Sequence, residues 1–391
     1  MVTHNPAFEQ LGGYPLAHLQ DLAEERRASG EELYDFSIGD PDEPTPAFIR
    51  DALVDAVGPV SRYPTAAGQR SLREAVAGWV QRRHGVDVDP DLHVLPSAGS
   101  KEAIFHVPLA VLDPRGPRRH VLWPEPGYPV YGRGALFAGG ESDPIRLTAD
   151  DDWVVDYADV DVTRLTRACI AWVNYPHNPT GALMPREAYA QQVALARTYD
   201  LLLCSDECYQ EVWFDEPAPS VLEVCDGDFT NVLAFVSLSK RSGMTGYRSG
   251  AIVGDPELIR RLRVLRPNIG TASPDFVQHA AAAAWGEQDH VDERRAIFAD
   301  KRRVILEFLD RAGIRWSGSR ATFYVWFQAP NGDDAAYAQA LLDEAIIASP
   351  GRSFGPSGRG WLRLALVPTV EECQRAVARW GEALDAGRMP A

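Results

Sequence analysis

The sequence has no run of 18 or more apolar residues, so no membrane-spanning helix is expected. Its opening, MVTHNPAFEQLGGYPL, has no basic segment followed by an apolar one and does not read as a secretory signal. Cysteine is scarce. Cys169, Cys204, Cys208, Cys225 and Cys373 make an odd count in a long chain, which argues against a disulfide framework. Cys204 and Cys208 stand four apart, but no nearby His or Cys completes a zinc set. They read as small buried hydrophobes, and no metal site is expected. Basic charge is also short: 39 Lys and Arg face 55 Asp and Glu, a formal net charge of −16. Without a basic patch, nucleic acid and anionic membranes are argued against as main partners. There is no internal repeat and no low-complexity linker. What remains as an expectation is a cytoplasmic enzyme.

What is present is an ordinary globular composition. The 391 residues are 45% hydrophobic and 24% charged, enough for a large core and about two domains. Residues 15–30 carry apolar positions at helical spacing and end at Gly30. YDFSIGDPDEPTP (34–46) reads as a short strand entering a Pro-rich turn, and 46–57 as a helix with Pro46 near its start. SLREAVAGWVQRRHG (71–85) predicts a stronger helix, starting at Ser71 with Glu74 completing a capping box and stopping at Gly85.

From about residue 92 strands and helices alternate. HVLP (93–96), HVLWP (120–124), ACIAWVNYP (168–176), LLLCSDE (201–207), NVLAFVSLS (231–239) and GAIVG (250–254) read as strands. KEAIFHVPLAVL (101–112), PGYPVYGRGALFAG (126–139) and PREAYAQQVALARTYD (185–200) supply helices between them. That alternation implies βαβ units and a mainly parallel sheet covered by helices on both faces. A long charged helix is expected at 287–312. Strands within RWSGSRATFYVWFQAP and GWLRLALVPT then flank a helix at 333–345, and an amphipathic helix at 369–387 closes the chain. The expected organisation is a large α/β domain at 46–290, with 1–45 and 291–391 forming one smaller α+β domain.

Three strings carry candidate chemistry: YPHNPTG (175–181), SDECYQEVWFD (205–215) and SLSKRSGMTGYRSG (237–250). Each follows a predicted strand, and ligands of open α/β sheets bind at the carboxyl ends of strands. Lys240, by itself, reads more readily as a solvated loop lysine; the functional alternative is a Schiff-base lysine tuned by burial and neighbouring charge. Ser237, Ser239 and Arg248 around it are the hydroxyls and guanidinium that a phosphate ester needs. Asp206 is either a structural cap or a carboxylate that keeps a pyridine nitrogen protonated. Tyr209 and Asn178 could each donate to a ring oxygen, although NPTG alone is only a turn signal. PSAGSKEAIF (96–105) alone is an ordinary glycine-containing helix start.

The spacing joins these readings. NPTG is followed by D-x-x-Y with Asp206 28 residues beyond Asn178, then by SxSK with Lys240 34 residues beyond Asp206, then by Arg248 eight residues further. This constellation resembles the fold-type I, pyridoxal-phosphate-dependent aminotransferases of class I/II, over nearly the whole chain. The resemblance implies a large domain with a mainly parallel seven-stranded sheet between helices, plus a smaller α+β domain. It implies that Lys240 binds pyridoxal 5′-phosphate covalently and shuttles the proton, that Asp206 partners the pyridine nitrogen, and that Tyr209 and Asn178 donate to the 3-oxygen. It places Gly99, Ser100 and Lys101 at the phosphate, on a helix N-terminus whose N–H groups suit a dianion, with Ser237 and Arg248 as further ligands. Tyr128 matches the aromatic stacked on the ring. The resemblance also implies that Gly39 lies beside the substrate α-carboxylate, with Asn178 adjacent to it, and that Arg363 clamps it. Tyr63 reaches into a neighbouring subunit's site, so a homodimer with composite sites is implied.

The reaction implied is ping-pong transfer between an amino acid and a 2-oxo acid. SLSKRSGMTGYRSG, RPNIGTASPDFVQHAAAAAW and GWLRLALVPTVEEC are most similar to the succinyldiaminopimelate aminotransferases of lysine biosynthesis, which would act here on N-succinyl-LL-2,6-diaminopimelate with 2-oxoglutarate and glutamate. A substrate with distal carboxylates calls for cations beyond Arg363, and Arg62, Lys101, Arg241 and Arg352 are the candidates. The other readings are an aspartate, aromatic or aliphatic aminotransferase, a β-lyase on the same scaffold, and an aminotransferase-like regulator. The last would need a basic helix-turn-helix segment, which the sequence lacks.

Overall fold

The computed structural model of the chain describes residues 2, 4–11, 17–28 and 30–390. Among these, seven strands form one sheet in the spatial order Val94–Ser97, Gly250–Gly254, Val232–Ser237, Leu202–Asp206, Ala168–Asn174, His120–Glu125, Glu141–Arg146. All run parallel except Gly250–Gly254, which is antiparallel to both neighbours. The fold is thus α/β, as the alternation of elements implied.

The apolar strands explain the layering. Successive side chains of a strand point to opposite faces. Ala171, Val173, Leu203, Ala234 and Val236 enter one apolar cluster, while Ile170, Trp172, Leu202, Cys204, Leu233 and Phe235 enter another. A sheet covered on both sides needs strands without a polar face, and these strands have none.

Two expectations are corrected here. The helix expected to begin at Ser71 runs Arg70–His84 with Gln69 at its N-cap and no side-chain cap. The Gln69 N–H donates instead to Gln278 Oε1 at 2.6 Å, and Glu74 pairs with Arg70. Packing against the helix Asp275–Gly286 therefore sets the start, and the capping box does not form. The edge strand Glu141–Arg146 was not expected, because ESDPIR is polar and contains Pro144. A half-exposed edge strand tolerates both.

The remaining strands gather elsewhere. Ser349–Pro350, Trp361–Ala365, Tyr324–Gln328 and Trp316–Ser317 form an antiparallel sheet, and Tyr34–Asp35 pairs in parallel with Ile346–Ile347. Tyr34 and Phe36 share an apolar cluster with Phe298, Leu309, Leu362 and Trp380, so the N-terminal strand completes the C-terminal unit. On this grouping we propose the two domains, 46–290 and 1–45 with 291–391. No helix among the described residues is long and apolar enough to cross a membrane.

Candidate active site

Three neighbouring strands end side by side, two of them on Asp206 and Ser237, which the sequence singled out. Asn174 and Asp206 are register partners at the ends of their strands, and Ser237 ends the next one. Beside them the helix Ser100–Val111 starts after the strand Val94–Ser97, with Gly99 as its N-cap. Gly39 and Arg363 arrive from the smaller unit. Together they border a cavity of ≈ 450 Å³ at the carboxyl edge of the sheet. Gly39, Ser100, Lys101, Tyr128, Asn178, Asp206, Tyr209, Ser237, Lys240, Arg248 and Arg363 all line it.

Asp206 is buried at the floor. Tyr131 Oη donates to its Oδ2 at 2.7 Å, and the Cys208 N–H to its Oδ1 at 3.3 Å. Burial pushes its carboxyl above the usual carboxylate range, while these donors pull it back. A carboxylate held this way favours a cationic partner in the cavity.

Lys240 follows the strand Val232–Ser237 on a single helical turn, Leu238–Arg241, started by Ser237 Oγ accepting the Ser239 N–H. Its Nζ donates to the Gly39 carbonyl. Burial lowers its pKa to about 8; Asp40 opposes the shift, and Arg363 and Arg248 add to it. An amine poised there is partly neutral near physiological pH and thus nucleophilic.

At one end of the cavity stand Ser100, Ser237 and the exposed Arg248, whose Nη1 donates to the Thr245 carbonyl. Gly99 has φ 80°, and a Cβ there would overlap the Arg248 guanidinium. The left-handed backbone is what favours glycine here, since the guanidinium at the end of its flexible side chain can shift. At the other end Arg363 is buried. It donates to Asn178 Oδ1 at 2.9 Å and to the Ser37 carbonyl at 2.7 Å, and lies over the rings of Tyr324 and Phe354. Because the Asn178 oxygen accepts from Arg363, its amide NH₂ is the part left to act as a donor toward a ligand. Asn174 holds that loop: its Nδ2 donates to the Asp206 carbonyl at 2.9 Å, and its Oδ1 accepts the Asn178 N–H at 3.1 Å.

Not every expected residue joins the cavity. Tyr63 is fully exposed and does not line its own chain's cavity. Two of the candidate distal cations are corrected. Arg241 is buried in an ion pair with Glu211 and donates to the carbonyls of Ala284 and Glu287. Arg352 is held by Asp334 and Asp333. Arg62 also lies outside the lining, whereas Lys101 is in it. Sequence reasoning missed Tyr131, Asn174, Cys208, Tyr324 and Phe354. Tyr131 lies three residues after Tyr128 and Cys208 inside D-x-x-Y, so both were within reach of the motif. Tyr324 and Phe354 have no such signal.

The donor set fits pyridoxal 5′-phosphate. A buried carboxylate faces the floor, a half-buried amine stands above it, and a helix N-terminus with two hydroxyls and a guanidinium faces one end. The glycine at that N-terminus leaves room that a Cβ would fill.

Comparison with known proteins agrees. Residues 31–379 match the sequence model of the family described as aminotransferase class I and II. An LL-diaminopimelate aminotransferase of Moorella thermoacetica is 38% identical over 378 residues, 95% of this chain and 96% of its own. The crystal structure of an aminotransferase from Neisseria meningitidis superposes with a TM-score of 0.90 at 32% identity, over 97% of this chain and 100% of that one. A Thermus thermophilus aspartate aminotransferase mutant superposes with a TM-score of 0.89 at 26% identity, over 98% of this chain and 100% of that one.

Proposed function

The chain belongs to the class I and II aminotransferases and is a pyridoxal-phosphate-dependent enzyme of fold type I; within that family we propose that it moves an amino group between LL-diaminopimelate and 2-oxoglutarate, the direction serving lysine biosynthesis being the one in which glutamate is the donor and LL-diaminopimelate is formed. The observation that carries the aminotransferase reading is the convergence of Asp206, Lys240 and Arg363 on one cavity; the choice of substrate rests on the relatives that bear its name.

When bound, the cofactor supplies an aldehyde that condenses with amines and a protonated ring that takes up electron density from the α-carbon. Lys240 holds it, and when freed moves the proton at the substrate's α-carbon. Asp206 keeps the proton on the ring nitrogen, supported by Tyr131. Tyr209 and the Asn178 amide donate to the 3-oxygen. Ser100, Ser237, Lys101, Arg248 and the N–H groups after Gly99 hold the phosphate. Tyr128 covers one face of the ring. Arg363 clamps the α-carboxylate, which lies against Gly39.

The N-succinylated substrate suggested by local strings is set aside in favour of the free diamino acid. Relatives at 38% identity are named LL-diaminopimelate aminotransferases. We further propose a cytoplasmic homodimer, with Tyr63 reaching into the partner's cofactor site. In support, Tyr63 is exposed together with Val54, Val57 and Val60, and the five thiols are unpaired.

The test is kcat/KM for LL-diaminopimelate, its N-succinyl derivative, aspartate and an aromatic amino acid, each with 2-oxoglutarate. The reading expects LL-diaminopimelate to lead. A lead by the succinyl compound restores the earlier substrate, and a lead by aspartate or the aromatic rejects both.

A further inference from the structure

Tyr324 touches both halves of the site, although nothing in the motifs marks it. It opens the strand Tyr324–Gln328 and is buried. Across the ladder Tyr324 pairs with Ala365, and Trp326 with Arg363. Tyr324 and Arg363 are therefore diagonal neighbours on one face of the sheet. The Arg363 guanidinium carbon lies 4.3 Å from the Tyr324 ring centroid, within the range of cation–π attraction. The Tyr324 hydroxyl lies 2.8 Å from the Tyr209 hydroxyl. It also packs against Gly39, where a Cβ would overlap it, and the Gly39 carbonyl accepts from Lys240 Nζ.

We propose that Tyr324 is a positioning residue that joins the carboxylate clamp to the cofactor donors: its ring seats Arg363, and its hydroxyl donates to Tyr209. The inference rests on the proposed role of Tyr209. If the Tyr209 proton is directed to the cofactor's 3-oxygen, the Tyr209 oxygen is left to accept, and Tyr324 is the donor that meets it. A hydrogen bond received by Tyr209 polarises its own O–H and makes it a stronger donor. The negative 3-oxygen is then better stabilised, and the pH at which the lysine-linked cofactor changes colour is lower.

Tyr324→Phe keeps the ring beneath Arg363 and removes only the hydroxyl. In the holoenzyme it should raise the pH midpoint of the absorbance change by about half a unit and leave KM for 2-oxoglutarate unchanged. Tyr209→Phe should raise the midpoint further, and adding Tyr324→Phe to it should change nothing more. Tyr324→Leu, which also removes the ring, should raise KM for 2-oxoglutarate by about threefold or more. An unshifted midpoint in Tyr324→Phe, or a shift that adds in full to that of Tyr209→Phe, overturns the hydroxyl's role. An unchanged KM in Tyr324→Leu overturns the ring's. If Tyr209→Phe itself leaves the midpoint unshifted, the assigned role of Tyr209 fails and the inference falls with it.

Discussion

The Tyr131 hydroxyl donates to Asp206 Oδ2 at 2.7 Å, from a ring stacked on Trp172 at 4.8 Å between centroids. Asp206 is buried, and burial raises its pKa by disfavouring the charged form. Cys208 and Tyr131 both work against that shift, so the carboxylate's strength as a partner for a ring cation depends in part on Tyr131.

Tyr131→Phe keeps the stack and removes a hydrogen bond to a charged acceptor, worth about 1.5 kcal/mol or more. The expected outcome is a fall in kcat of about tenfold with cofactor still bound. Asp206→Asn should cost roughly 100-fold or more, since it removes the charge itself. Steady-state kinetics on both and on the double variant check this: the double should be no slower than Asp206→Asn alone. An undiminished kcat in Tyr131→Phe would mean that the contact only packs the floor.

The pKa of about 8 for Lys240 gives the chain without cofactor a defined pH behaviour. Covalent capture of an aldehyde needs the neutral amine. Below pH 8 the neutral fraction rises about tenfold per pH unit, and above it the fraction levels off. The rate of covalent cofactor uptake, followed spectroscopically, should show that rise and plateau. A rise continuing to pH 10 would mean that Lys240 is solvated rather than buried.

Arg363→Lys should weaken every amino acid and oxo acid substrate alike. Lysine cannot supply the two-pronged donor, and each charged hydrogen bond lost is worth about 1.5–3 kcal/mol. Loss of the bond to Asn178 Oδ1 should also loosen the cofactor's environment. The expected result is kcat/KM lower by roughly tenfold or more for all substrates, together with a shifted absorbance maximum. A loss confined to one substrate would instead place Arg363 at a distal group.

Six of the seven strands of the large sheet were legible because their buried residues leave no polar face, as in LLLC and ACIAWV; the polar edge strand Glu141–Arg146 was not. Lys240, Asp206, Asn178 and Arg248 were legible from spacing, since each follows a strand end that the fold brings to one edge. The start at Arg70 was not legible, because a contact 209 residues away sets it. Tyr324 was hidden for a similar reason: its partners Tyr209 and Gly39 lie 115 and 285 positions away in sequence. Arg241 and Arg352 looked available as cations only because their carboxylate partners, Glu211 and Asp334, are distant in sequence and adjacent in space.

The central claim is that Lys240 carries the cofactor. The chain has three lysines, Lys101, Lys240 and Lys301, which makes the test sharp. Lys301 is buried in an ion pair with Glu43, and Lys101 sits at the helix N-terminus by the proposed phosphate site. Borohydride reduction of the holoenzyme followed by peptide mapping should place the cofactor's mass on the peptide containing Lys240 alone. Label on Lys101 or Lys301, or no label despite bound cofactor, would contradict the account of the site.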